Sequence, residues 1–120
     1  MLDHVGLRTK KLEALVKFYE TALKPLGYAK LAAYDGAAGF GKGEASQLWI
    51  TSSKEAPSSV HVALESPTRK AVDAFHKAAI EAGAKDNGKP GIRADYSPTY
   101  YAAFVIDLDG NNLEAVCLKA

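Results

Sequence analysis

Cysteine, methionine and tryptophan are nearly missing from this sequence of 120 residues, at one each. The lone Cys117 excludes a disulfide within the chain. Charge of one sign is missing too. Lys and Arg number 15 against 14 Asp and Glu, spread along the chain for a formal charge of +1. That balance leaves no basic stripe for nucleic acid and no polybasic patch for a membrane surface. No apolar run approaches the length of a membrane span. The N-terminus lacks the charged head and apolar stretch of a secretory signal. These absences set the expectation of a soluble, cytoplasmic protein whose partner is a small molecule or another protein. What is present is 48% hydrophobic and 24% charged content, which suits one domain with a sizeable core.

Two stretches carry helical spacing. From 12 to 26, Leu12, Leu15, Val16, Tyr19, Leu23 and Leu26 recur every three or four residues, the period of one helix face, and Pro25 with Gly27 ends the run. From 68 to 83, Ala71, Val72, Phe75 and Ala79 form a second stripe, with Thr68 placed to cap it and Gly83 to stop it. Each helix follows a short apolar run containing His-Val-x-Leu, at His4 and again at His61.

At an offset of 57, His4, Val5, Leu7, Ala14 and Phe18 fall on His61, Val62, Leu64, Ala71 and Phe75. A strand and helix repeated in this way imply a duplicated unit. After the first helix the runs 28–34, 37–41 and 46–51 read as strands, divided by the turn signals Asp35-Gly36 and Lys42-Gly43. After the second helix, 85–93 reads as a weak strand and loop, followed by strands over 99–106 and 112–118 around the turn "DLDGNN". The fold class expected is α+β, a single domain of two βαβββ modules at about 1–54 and 58–120.

Strand alternation decides which side chains share a face. If Val5, Leu7, Val62 and Leu64 pack under the helices, His4 and His61 face away from them. With Leu113, Ala115 and Cys117 inward, Glu114 joins the histidines; Gln47, Trp49 and Thr51 take the same side of their strand. Two imidazoles and a carboxylate with open positions suit a borderline divalent metal: iron, zinc, manganese, nickel or cobalt. The alternative is that both histidines are half-buried sheet residues retained from the duplication.

Other motifs point to ordinary structure. "GFGKGE" at 39–44 lacks the following helix and the Lys-Ser/Thr pair of a phosphate cradle, so it reads as a hairpin. "DLDGNN" opens like a calcium loop, but its glycine comes two positions early and Leu118 stands where the closing Glu belongs. His76 lies beside the second helix stripe, away from the sheet face. The stretch "GIRADYSPTYY", 91–101, gathers Arg93, Tyr96, Tyr100 and Tyr101 ahead of the strand carrying Glu114. Rings with polar tips suit the wall of a small-molecule pocket, which makes Arg93, Tyr96 and Tyr101 candidates beside Trp49 and Gln47.

The residues "LDHVGL", "FYETALKPLGY", "VHVALESPTRKAVDAFHKAAIEAG" and the ending "YYAAFVIDLDGNNLEAV" resemble the vicinal oxygen chelate superfamily, which includes glyoxalase I, bleomycin-resistance proteins and extradiol dioxygenases. The resemblance covers essentially the whole chain. It implies paired βαβββ modules whose sheets form an open, U-shaped barrel around a metal, with ligands from the first and last strand of each module. Those positions are His4 and Trp49, then His61 and Glu114. Trp49 departs from the pattern, because glyoxalase-like isomerases place a carboxylate there and an indole only donates. Gln47 has the right parity to substitute; Glu44 falls in the turn. Two functions are implied: a metal-dependent lyase, isomerase or dioxygenase acting on adjacent oxygens, or a metal-free protein that sequesters a small molecule on Trp49. The resemblance also implies a homodimer, in which His4 of one chain can meet His61 and Glu114 of the other; a site within one chain is the alternative.

Overall fold

The computed structural model describes all 120 residues. The first module runs β1 (Val5–Thr9), α1 (Leu12–Leu23), β2 (Ala29–Tyr34), β3 (Ala37–Gly41) and β4 (Leu48–Ser52). The second repeats the order as β5 (His61–Glu65), α2 (Arg69–Glu81), β6 (Lys85–Ile92), β7 (Tyr101–Ile106) and β8 (Asn112–Cys117). Each module forms its own four-stranded sheet, in the orders β1-β4-β3-β2 and β5-β8-β7-β6. The first and last strands of each module pair in parallel and the others antiparallel. The architecture is α+β with two βαβββ modules and no closed barrel.

Local chemistry sets the element ends. Proline has no N–H to extend an α-helical ladder, so around Pro25 the chain tightens into a 3-10 turn over Lys24–Leu26. Gly27 then closes it at φ 88°, a left-handed conformation that suits glycine. Thr68 caps α2 by accepting a hydrogen bond from the Ala71 N–H. The 85–93 stretch, rich in glycine and containing Pro90, forms a strand with two register shifts. It is an edge strand, where a missing N–H and a bulge are tolerated.

One core cluster holds buried residues of both modules, with Leu15, Tyr19 and Phe40 from the first and Val72, Phe75 and Leu113 from the second. Each helix lies on its own sheet and the two helices pack against each other. That second contact explains why Phe18 and Ala22 of α1 are buried although the single-sheet stripe omits them. The turn between β7 and β8 fastens the modules: buried Asp107 accepts hydrogen bonds from the Tyr19 hydroxyl at 2.5 Å and from the Asn111 side chain at 2.8 Å. No helix is long and apolar enough to cross a membrane. With the helices on one side of each sheet, the other side stays open, and the candidate residues lie there.

Candidate functional site

The parallel registers make the two open faces comparable. In the second sheet β5 pairs Ala63 with Glu114, and in the first β1 pairs Gly6 with Trp49. Gly6 and Ala63 are each two residues past a repeated histidine. Trp49 and Glu114 therefore occupy equivalent places, one per module.

On the second face Glu114 is buried at 1% exposure, although it stands on the side away from α2. Its oxygens are divided between two partners. Oε1 lies 2.7 Å from His61 Nε2, and Oε2 accepts a 2.5 Å hydrogen bond from the Tyr100 hydroxyl. A buried carboxylate is tolerated where its lone pairs are met in this way. Burial pushes the Tyr100 phenol up to about 12, helped by its hydrogen bond to Glu114 and by that carboxylate's charge. Tyr100 thus stays a neutral donor at physiological pH. Tyr96 packs edge-on against it, with ring centroids 5.0 Å apart. His61, half exposed, lies 6.2 Å from the Phe104 ring, and the Arg93 guanidinium lies 5.3 Å from the same ring.

The first face is different in character. His4 sits one residue before β1, exposed, with Nδ1 2.8 Å from the Asp3 carboxylate. Gln47 is exposed at the entry to β4. Trp49 stacks on Tyr34 at 6.2 Å with the ring planes 12° apart. Gly39 makes room for this: a Cβ there would lie 3.0 Å from the indole and closer still to the Ser46 side chain.

The structure thus gathers His61, Glu114, Arg93 and Tyr96 on the second face, and Gln47 and Trp49 on the first. Tyr101 is a correction. It pairs across the hairpin with Cys117 and so shares the helix-facing side, where its hydroxyl donates to Asp73 at 2.6 Å and Arg69 lies over its ring. The tyrosine that reaches Glu114 is Tyr100, because the strand begins at 101 and leaves Tyr100 as the last residue of the loop. The signal was present in the sequence: Cys117 reads as inward, and its hairpin partner must follow it.

His61 and Glu114, two of the three residues expected as ligands, stand together. The spacing of His61 Nε2 and Glu114 Oε1, 2.7 Å, is that of a hydrogen bond. Tyr100 holds the second oxygen of Glu114 and so fixes the orientation of the carboxylate. Within one chain no group of three or more His, Cys, Asp or Glu side chains converges to hold a metal ion. His4 remains with its own module.

Comparisons with known proteins agree with this fold. The family model of the Glyoxalase/Bleomycin resistance protein/Dioxygenase superfamily matches residues 1–115. No curated protein matches the chain. Among solved structures, a glyoxalase/bleomycin resistance protein from Albidiferax ferrireducens T118 is 25% identical with a TM-score of 0.84, covering 98% of each chain. A glyoxalase/bleomycin resistance protein/dioxygenase family enzyme from Burkholderia phytofirmans PsJN is 18% identical with a TM-score of 0.74, again over 98% of each. A glyoxalase I mutant from Zea mays is 19% identical with a TM-score of 0.73, covering 96% of this chain and 43% of the maize one. With the family model matched over residues 1–115 and the fold of two βαβββ modules shared with these structures, the chain belongs to the glyoxalase/bleomycin resistance protein/dioxygenase superfamily.

Proposed function

We propose that the chain is a divalent-metal-dependent enzyme acting on a small molecule with adjacent oxygens, and that it works as a homodimer. The first-module face of one subunit covers the second-module face of the other. His61 and Glu114 then hold the metal with His4 of the partner subunit. The observation that carries this reading is Glu114, a buried carboxylate on an open sheet face with one oxygen fixed by Tyr100 and the other beside an imidazole. Two of three ligands stand together, and neither face is roofed within the chain. Two of its grooves, about 490 and 600 Å³, run instead between α1 and strands β2–β3 and between α1 and α2.

A bound divalent ion would polarise two chelated oxygens as a Lewis acid. The chain's own residues do the rest. Tyr100 keeps Glu114 in one orientation. Phe104 shields His61 on one side. Trp49 offers an aromatic wall where a glyoxalase-like isomerase would offer a carboxylate, so that position supplies no base for proton abstraction. The reactions favoured are those that need chelation and polarisation alone.

Elemental mass spectrometry on protein purified without a tag or chelator tests this. Near-stoichiometric metal in the wild type, lost in H61A and E114A, is the expected result. If the wild type holds none and takes up no added iron, zinc, nickel, manganese or cobalt, the metal site is wrong. The second reading, metal-free sequestration of a planar molecule, then leads; the stacked Trp49–Tyr34 pair favours it.

A further inference from the structure

We infer that the outer edge of β2 pairs antiparallel with the β2 of a second copy of this chain, joining two first-module sheets into one across a two-fold axis. This contact goes beyond the proposed metal site and does not depend on it.

A strand at the rim of a sheet leaves backbone N–H and C=O groups without a ladder partner, and folds usually blunt such an edge. The two sheets give this chain four edge strands, β1, β2, β5 and β6. Three are blunted. The segment between the modules runs along β1, where the Arg8 N–H donates to the Ser58 hydroxyl at 2.9 Å and the Arg8 carbonyl accepts from the Ser58 N–H at 3.1 Å. β6 contains Pro90, the charges Lys85, Asp86 and Lys89, and two register shifts. β5 is five residues long and ends on the exposed Glu65. β2 is the exception. Its six residues, Ala-Lys-Leu-Ala-Ala-Tyr, include no proline and one charge. That charge is turned aside, since Lys30 Nζ lies 3.6 Å from the Glu20 carboxylate of α1.

The same edge is apolar where it is exposed. Leu31, left without a partner in β3 by the register shift beside it, is 38% exposed, and Tyr34 is 68% exposed. Behind the edge lies the groove of about 490 Å³ between α1 and β2–β3, walled by Leu12, Val16, Ala33 and Ala38. Its charged lining is Glu13 and Glu20 with Lys17 and Lys30, two of each sign. A surface that meets its own copy across a two-fold axis must complement itself. An equal set of acids and bases does so, whereas charges of one sign would repel their own images. With the axis at Ala32, in the middle of the strand, Leu31 of each copy lies opposite Ala33 of the other, and the two grooves face each other across the joined strands.

Light scattering on size-fractionated protein tests this with L31K, L31E and an equal mixture of the two. The wild type is expected at twice the mass of either variant: dimer against monomer, or tetramer against dimer where the shared metal site also pairs chains. Like charges held near the axis should weaken association about tenfold or more, and the mixture should regain the wild-type mass because opposite charges then meet. A second measurement reads the edge directly. Opposed Cα atoms of an antiparallel pair stand about 4.5–5.5 Å apart, within disulfide reach, so oxidation of dilute L31C, A32C and A33C should link two chains in at least one of them. Cys117, the one native cysteine, is buried and does not compete. Circular dichroism melts verify folding; if neither Leu31 variant folds, the cross-link decides. A wild type of the same mass as folded L31K and L31E overturns the contact, as does a mixture that stays at the variants' mass or a failure of all three cysteines to link. A wild-type mass that does not respond to these changes while metal is still bound through His61 and Glu114 removes the edge contact and leaves the metal site standing.

Discussion

Tyr100 and Tyr101 are neighbours with opposite duties, and the difference is one of parity. Tyr100 donates to Glu114 in the candidate site, whereas Tyr101 donates to Asp73 of α2. Y100F should leave Glu114 with an unmet buried oxygen, at a cost of about 1–3 kcal/mol in a denaturant melt, and should weaken metal uptake roughly 10- to 100-fold. The pH dependence has a definite sign. A phenol at 10.0 when unfolded and about 12 in the fold keeps its proton longer when folded. Its stability contribution is therefore full below pH 10 and lost as pH rises towards 12. Melting temperature should fall over that window in the wild type and fall less in Y100F; equal losses would deny the link. The sequence displayed the pair His61 and Glu114 through alternation alone. It hid the burial of Glu114, because the covering side chain comes from a loop whose path no period encodes.

Among elements, the β7–β8 turn is a joint between the modules. Asp107 accepts from Tyr19 of α1, from the Asn111 side chain, and from the backbone N–H groups of Asp109 and Asn111. D107A should destabilise the protein by about 3 kcal/mol or more, since several buried donors lose one acceptor together. A calorimetric melt unchanged within error would show the joint to be dispensable. Sequence reading recovered the helices because their apolar period and the Thr68 cap are local signals. The turn's role as a joint was beyond it, for the hydroxyl it captures lies 88 residues earlier. The boundary of β1 shows the same limit: alternation places His4 in a strand, but pairing begins at Val5.

For the whole molecule, the question is where the partner of the second face resides. Under the shared-site proposal, a mixed dimer of an H4A chain and an H61A chain regains one intact site of two. The H61A subunit lends its His4 to the unaltered His61 and Glu114 of the H4A subunit. Mixing the two variants after mild dissociation should restore metal to about half of the mixed dimers' sites, while each variant alone holds none. No recovery would place the site within one chain. Relative placement of modules was illegible in the sequence because the repeat specifies each unit twice and says nothing of how the copies meet; here they meet through their helices. The strand orders have a further consequence, for synthesis. In each module the last strand made, β4 or β8, is an interior strand, flanked by the first strand and the one just before it. Until β8 is available, β5 and β7 each present an unpaired edge to other chains. The second sheet must therefore close by a long-range insertion, a slow kind of step. A nascent chain stalled before Asn112 would be a species prone to aggregate, and one that a chaperone would recognise.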